Sequence, residues 1–278
     1  MPAERRSLVL TERFHRNIDD LALQTADQLA RRFNPSPDDE LKAYFEEFIG
    51  LAATTVAGAQ SAAATIAGGF FRGLGSIELG EGVLAEEMPD NAGATADGRS
   101  LEEALGATRA KTLLGLSRGW QPDQARLFAR ASFGRLARTE VVDAAGLELT
   151  HQMQNVDEVQ GWRWRSRGTC GGCLALDDGS IRDPSAGMDR HPNCRCLPEP
   201  VFDVEERVAR PTGHERFAEM TEKQQNELLG AEKARLLRMG LIDWPHLVHR
   251  EHHREWNDSL TERSLQDVLA IAGLETET

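Results

Sequence analysis

The sequence predicts a mainly α-helical protein interrupted by a small α+β module. Three observations predict it. Apolar residues recur at helical spacing before position 160 and again after Thr221, while strand-like alternation opens only at Gly161. All four cysteines fall inside one stretch, "RGTCGGCLALDDGSIRDPSAGMDRHPNCRC", from Arg167 to Cys196. With 278 residues, 40% of them hydrophobic, the chain can bury one large core or two ordinary ones.

The helical elements follow in chain order. Between Thr11 and Phe33, the residues Phe14, Ile18, Leu21, Leu29 and Phe33 recur among charges, which describes an amphipathic helix. "NPSPDDE" ends it. Ser36 suits an N-cap, Pro37 a first helical position, and Asp38 to Glu40 the positive end of a helix dipole. The next helix is expected to run to about Arg72 and to close an N-terminal helical region, 1–72. Its stretch from Phe48 to Phe71 is uncharged and long enough to span a bilayer. Its centre, however, is Ala, Gly, Thr, Ser and Gln, without the basic flanks that set topology. Small residues let helices approach closely, so a helix packed in protein is expected, with no membrane partner.

Residues 73–99 are rich in glycine, acids and small side chains without a clear period, and read as a linker or long loop. "GLGSIELGEG" within them lacks the Gly-Lys-Ser/Thr ending of a phosphate loop. Ser100 with Glu103 makes a capping box for a helix to about Ser117. Pro122 opens another, with breaks expected near Gly134 or Gly146; together they form a helical region, 100–160. From Gly161, "GWRWRSRGTC" alternates as a strand does, and "LDDGS" offers a hairpin turn centred on Asp178-Gly179. Pro198, Pro200 and Pro211 mark the exit of a module at 161–211. Helices resume after Thr221, where Gln224 completes a capping pattern, in a C-terminal tail, 212–278.

Cys170-x2-Cys173, followed by His191-x2-Cys194-x-Cys196, offers five soft ligands in two groups, the arrangement in which two turns close on one tetrahedral ion. Zinc is the natural occupant, making the fold class mainly α with a small zinc-stapled α+β module. No export signal is read in the N-terminal stretch, whose apolar run is only Leu8 to Leu10, so the thiols are expected in a reducing compartment where disulfides are rare. A redox C-x-x-C would need a thioredoxin-like context that the pattern lacks. Five candidates compete for four positions. The preferred set is Cys170, Cys173, His191 and Cys194, with Cys196 either replacing His191 or standing behind the ligands. "HPNCRC" lacks the glutamate of a nucleobase deaminase, and H-E-x-x-H is missing, so a closed structural site is expected and no catalytic residue is assigned.

Trp162 and Trp164 share a strand face and are expected to cover the metal site. Arg163, Arg165 and Arg167 would line the other face as a basic stripe able to meet phosphate or an acidic surface. The net charge of -13 opposes nucleic-acid binding as the main activity. His249, His252 and His253 have the i, i+3, i+4 spacing of a helix face, and read as a solvated or partner surface before they read as ligands.

These residues carry a resemblance. "GWRWRSRGTCGGCLALDDG", "HPNCRC" and "LPEPVF" resemble the C-terminal module of the phage Mu F-type minor head proteins, or phage head morphogenesis proteins. "RLARTEVVDAA" is similar to the helix that precedes the cysteine module in that family, its Arg-Thr-Glu here being Arg138, Thr139 and Glu140. "VAGAQSAAATIAGGFFRGL" resembles the Ala-rich N-terminal helices of actinobacteriophage members, and "FAEMTEKQQNELLGAEKARLLRMGLIDWPHLV" the family's tail segment. Apart from that tail segment, the similar stretches keep the family's order from about Leu41 to Phe202. One departure is Asp143, where the family often has Asn.

The resemblance implies a minor capsid protein of a tailed bacteriophage, present in few copies at the portal vertex and capsid interior of the virion, and in the host cytoplasm during assembly. Its partners would be the portal protein and the major capsid protein, with packaged DNA nearby but not tightly bound, and its role head assembly and DNA delivery. Two other classes stay open: a metal-dependent hydrolase acting as the phage genome enters the host, and a zinc-ribbon nucleic-acid adaptor. Arg138 and Glu140 lack a nucleophile or paired base and are expected to anchor helices by an ion pair or hydrogen bond.

Overall fold

The computed structural model describes residues 3–35, 41–80, 82, 92–167, 170–188, 194–203, 211–251 and 259–274. They form two compact units, Met1–Val156 and Asp157–Thr278.

The first unit is built from α1 (Ala3–Arg32), α2 (Leu41–Glu78), α3 (Leu101–Ser117) and α4 (Pro122–Gln154). The predicted face of α1 is the one that packs: Phe14, Ile18, Leu29 and, just beyond the helix, Phe33 are buried. Phe33 meets Phe45, Phe48 and Phe133, while Phe14 stacks on Phe70 at 4.1 Å, so α1 and α2 lie antiparallel. The helix reaches further back than its apolar period because the contacts there are polar. Thr11 Oγ1 donates to Ser7 O at 2.8 Å, and Ser7 Oγ donates to Glu78 at the far end of α2.

That contact also explains why α2 runs past Arg72 into the segment expected to be a linker. Leu74 and Gly75 are buried, and Gly73 lets Leu10 of α1 approach within 3.2 Å of where a Cβ would stand. Ser36 to Glu40, the expected cap, lie outside the described residues. By length and composition α2 could cross a membrane. Its stripe of Ala52, Val56, Ala59, Ala63 and Ala67 is buried in protein, and the exposed side carries Thr54, Ser61, Thr65 and Arg72. Helix α4 continues through Gly134 and Gly146, since packing on α1 and α2 outweighs the loss of about 1 kcal/mol that each glycine brings to a helix interior. Ser100 caps α3 as expected, its side chain accepting the Glu103 N–H at 3.1 Å.

Residues 92–100, ahead of α3, form a tight hairpin. Ala94 bridges Ser100, the Gly98 N–H donates to Thr95 O at 2.8 Å, and Gly98 adopts φ +81°, a conformation costly for any residue with a Cβ.

The second unit holds a three-stranded antiparallel sheet in the order β2-β1-β3, from β1 (Gly161–Arg165), β2 (Ile181–Arg182) and β3 (Leu197–Val201). The Asp178-Gly179 turn does not join two strands: "GGCLAL" folds as α5 (Gly171–Leu176), and the turn leads from it into β2. Pro198 and Pro200 lie within β3, opposite Trp164 and Trp162. An edge strand tolerates them because alternate N–H groups point away from the sheet. The tail supplies α6 (Gly213–Glu219), α7 (Glu222–Leu229), α8 (Ala231–Arg238), a 3-10 turn at Trp244–Leu247, the pair β4 (Val248–Glu251) and β5 (Ser259–Glu262), and α9 (Leu265–Ile271). Thr221 and Gln224 form the expected capping box, and Thr212 with Glu215 forms another one helix earlier. Phe217, Leu229, Leu236, Leu247 and Val268 belong to one apolar cluster of this unit.

Candidate metal centre

Helix α5 presents the first cysteine pair. Cys170 is its N-cap, in an extended conformation, and its Sγ accepts the Cys173 N–H at 3.2 Å. A sulfur placed this way satisfies one of the free backbone donors at the helix start. The glycines between the cysteines have a packing reason. A Cβ on Gly171 would fall 2.2 Å from Leu229, and one on Gly172 within 3.4 Å of Val248, so the turn lies close beneath the tail.

The second pair arrives on the entry to β3. Cys173, Cys194 and Cys196 bring their sulfurs within 4.8 Å of one another, all three buried, in a group able to hold a metal ion. Cys173 and Cys194 sulfurs stand 3.7 Å apart and all four cysteines are free thiols. A disulfide would need about 2.05 Å. Four sulfurs at the usual zinc distance of about 2.3 Å lie about 3.8 Å apart along the edges of the tetrahedron. The Cys173–Cys194 spacing is compatible with two ligands of one ion.

Crowding and burial act on the thiols as well. The neighbouring thiols of Cys170, Cys194 and Cys196, then burial, push Cys173 well above the usual thiol range. For Cys196 the contact with Cys173 acts downward, but Cys194 and burial leave it raised. Thiols crowded in an apolar setting resist ionising together, and a divalent cation removes that resistance. The donor set therefore fits a soft, tetrahedral ion.

Cys196 belongs to this group, which is the alternative in which it replaces His191 in the preferred set. His191 lies outside the described residues, so the fourth position rests between it and Cys170. Cys194 and Cys196, two apart on an extended segment, project to the same side.

The basic stripe is overturned at Arg163 and Arg165, while Arg167 is half-buried. All five residues of β1 are buried, Arg163 and Arg165 at 6% and 5% exposure, because both faces of this central strand are covered. Arg165 Nε donates to Glu199 of β3, and Asp177 collects the Ser166 N–H at 3.1 Å and Arg216 Nη2 at 2.7 Å. Trp162 and Trp164 do share a face, with the Arg182 guanidinium 5.3 and 5.5 Å from their ring centres. Trp162 Nε1 donates to Asp183 O at 3.0 Å. His249 sits on β4, not on a helix, which removes the expected helix face; His252 and His253 lie outside the described residues.

The first unit holds a second constellation around Glu140, where the expected helix anchor is found as a hydrogen bond from Gln60 of α2. An open cavity of about 560 Å³ is lined by Gln60, Gly68 and Arg72 of α2, by Glu140, Asp143 and Glu148 of α4, and by the hairpin at 92–100. Burial and the nearby charges of Asp143 and Asp97 push Glu140 up to about 8. The signal available in the sequence was Gln60, a lone long polar side chain inside the Ala-rich run. Arg138 and Glu140, two apart on a helix, point roughly 200° away from each other, so they do not act as one pair.

No protein-family model, curated protein or solved structure matches the chain.

Proposed function

We propose that this chain is a minor capsid protein of a tailed bacteriophage, bound at the portal vertex or capsid interior, in which a zinc-stapled module shapes a partner-binding surface and performs no chemistry. The observation that carries the reading is the burial of the thiols: Cys173, Cys194 and Cys196 are 2 to 3% exposed. A catalytic zinc keeps a position open for water, whereas a structural one is enclosed. Zinc is held by Cys173, Cys194 and Cys196, with Cys170 or His191 as the fourth ligand. The ion contributes folding energy to the knuckle and orients α5 and β3 beneath the tail. The order of motifs from the Ala-rich helix to the cysteine module supports the phage assignment, and the net charge of -13 suits a protein that lies near packaged DNA without gripping it. The partners in this reading are the portal and major capsid proteins.

The experiment is incorporation into heads. Cys173→Ser should lower the amount of this chain in purified heads through misfolding of the module, and Glu140→Gln should leave it near the wild-type level. One observation favours a second reading, a hydrolase: Glu140, raised toward neutrality in an open cavity, has the setting of a general acid. Glu140→Gln virions that contain normal amounts of folded protein yet lose infectivity would replace the structural reading with that one.

A further inference from the structure

Positive charge is concentrated in one part of a negative chain. From Ala104 to Thr139 the sequence holds seven basic side chains, six of them arginine, against a single acid, Asp123, while the whole chain carries -13. Asp123 offsets little of that charge. It pairs with Arg126 at 3.1 Å while almost fully exposed, and such surface pairs are weak. Arg109 is held by Glu46 of α2, whereas Arg118, Arg130 and Arg135 stand exposed. The nearest acids in sequence, Glu102 and Glu103, lie at the opposite end of α3 from Arg118.

Helices α3 and α4 form a helical hairpin whose turn holds an aromatic side chain in place. Gly119 adopts φ +92°, which lets the chain reverse, and the Trp120 N–H donates to Gly115 O at 3.0 Å. The Trp120 ring lies on Gly115, where a Cβ would fall 2.3 Å from it, and meets Phe128 edge-on at 5.2 Å. Trp120 is thus fixed from both helices and is still 38% exposed. Leu114 in the last turn of α3 is exposed too, and Leu127 in the second turn of α4 is 67% exposed. The fold buries the other face of α4, along Ala125, Ala129, Phe133 and Ala137, so Leu127, Arg130 and Arg135 share its outer face. A single exposed leucine is ordinary, but three large apolar side chains among arginines at one end of a hairpin form a patch.

We propose that the tip of the α3–α4 hairpin is a docking surface for an acidic protein partner, one whose carboxylates frame an apolar strip. Guanidinium groups pair with carboxylates through two parallel hydrogen bonds, and the partner's apolar strip covers Leu114, Trp120 and Leu127. Tryptophan and arginine are the side chains that dominate protein interfaces, and a ring already held by Gly115 and Phe128 loses little freedom on binding. A phosphate backbone would match the arginines but leave both leucines in water. A second copy meeting this one about a two-fold axis would set the same positive tip against itself. The surface belongs to the first unit and depends neither on the zinc module nor on the capsid reading.

Fluorescence anisotropy with the full chain tests this against three labelled probes: a helical peptide with leucines along one face and glutamates on both flanks, polyglutamate, and a mixed-sequence DNA duplex. The peptide should bind at least about tenfold more tightly than either of the others, and more weakly as salt screens the arginines. Leu127→Ser and Arg130→Glu should each weaken the peptide about tenfold with thermal unfolding unchanged, since both side chains are exposed; Arg118→Glu serves if Arg130→Glu does not fold. Leu23→Ser, at an exposed leucine of α1, should change nothing. No binding of the peptide, equal or tighter binding of polyglutamate or the duplex, or binding indifferent to Leu127→Ser and Arg130→Glu would each overturn the proposal. So would self-association of the full chain in sedimentation that Arg130→Glu abolishes, which would make a second copy the occupant.

Discussion

Asp177 at the end of α5 accepts a hydrogen bond from Arg216 of α6 at 2.7 Å, joining the cysteine knuckle to a helix 39 positions further on. The aspartate is 1% exposed and also binds Ser166, while Arg165 lies 4.0 Å from its other oxygen. Asp177→Ala would leave Arg165 buried without this carboxylate, at a cost of about 3 kcal/mol. Asp177→Asn should cost less, since an amide oxygen still accepts from Ser166. Urea unfolding followed by tryptophan fluorescence measures both; equal stabilities of the Ala variant and wild type would remove the network from any account of this unit.

Freshly reduced protein should contain about one zinc per chain, and chelation should unfold the second unit, because structural zinc supplies on the order of 10 kcal/mol to folding in small modules. Acid should release the metal as the thiolates take up protons. Elemental analysis and circular dichroism on the same sample check both. Metal-free protein with unchanged unfolding would refute the centre.

Two glycines should respond in opposite directions to alanine. At Gly134 an added Cβ would sit 3.8 Å from Ala26, an ordinary contact, so Gly134→Ala should stabilise the first unit by about 0.5–1 kcal/mol through helix propensity. At Gly213 the Cβ would meet the backbone oxygen of Leu174 at 2.7 Å, and Gly213→Ala should destabilise the second unit. Thermal unfolding of the two variants gives the comparison.

Ala63 is fully buried on the small-residue stripe of α2. Ala63→Leu should force the neighbouring helices apart at about 1–3 kcal/mol, whereas Thr65→Leu, on the exposed side, should change stability little. A tolerated Ala63→Leu would mean that α2 does not pack as closely as its composition requires.

Much of the helical plan was legible because it rests on local signals. The period of Phe14, Ile18, Leu29 and Phe33 marks one buried face, and Ser100 and Thr221 each carry the capping side chain at the right offset, whereas the Thr212 cap of α6, ahead of Thr221, was not read. The cysteine groups were legible for the same reason: two pairs of soft ligands at short spacings admit few uses. What local reading placed wrongly was decided by contacts between distant residues. Helix α2 continued past Arg72 because Ser7 and Leu10 of α1 meet its last turns, and β1 was buried on both faces, turning Arg163 and Arg165 from a surface stripe into interior charges.

The sequence by itself determined that the chain is mainly helical and that its thiols converge, since helix periodicity, caps and ligand spacing are properties of neighbouring residues. Only the tertiary structure decided that Cys196 stands with Cys173 and Cys194, that Asp177 reaches Arg216, and that Gln60 meets Glu140 and the 92–100 hairpin. Each joins segments far apart in the chain. Such contacts are chosen by burial and the need to satisfy buried polar groups, which no short stretch encodes.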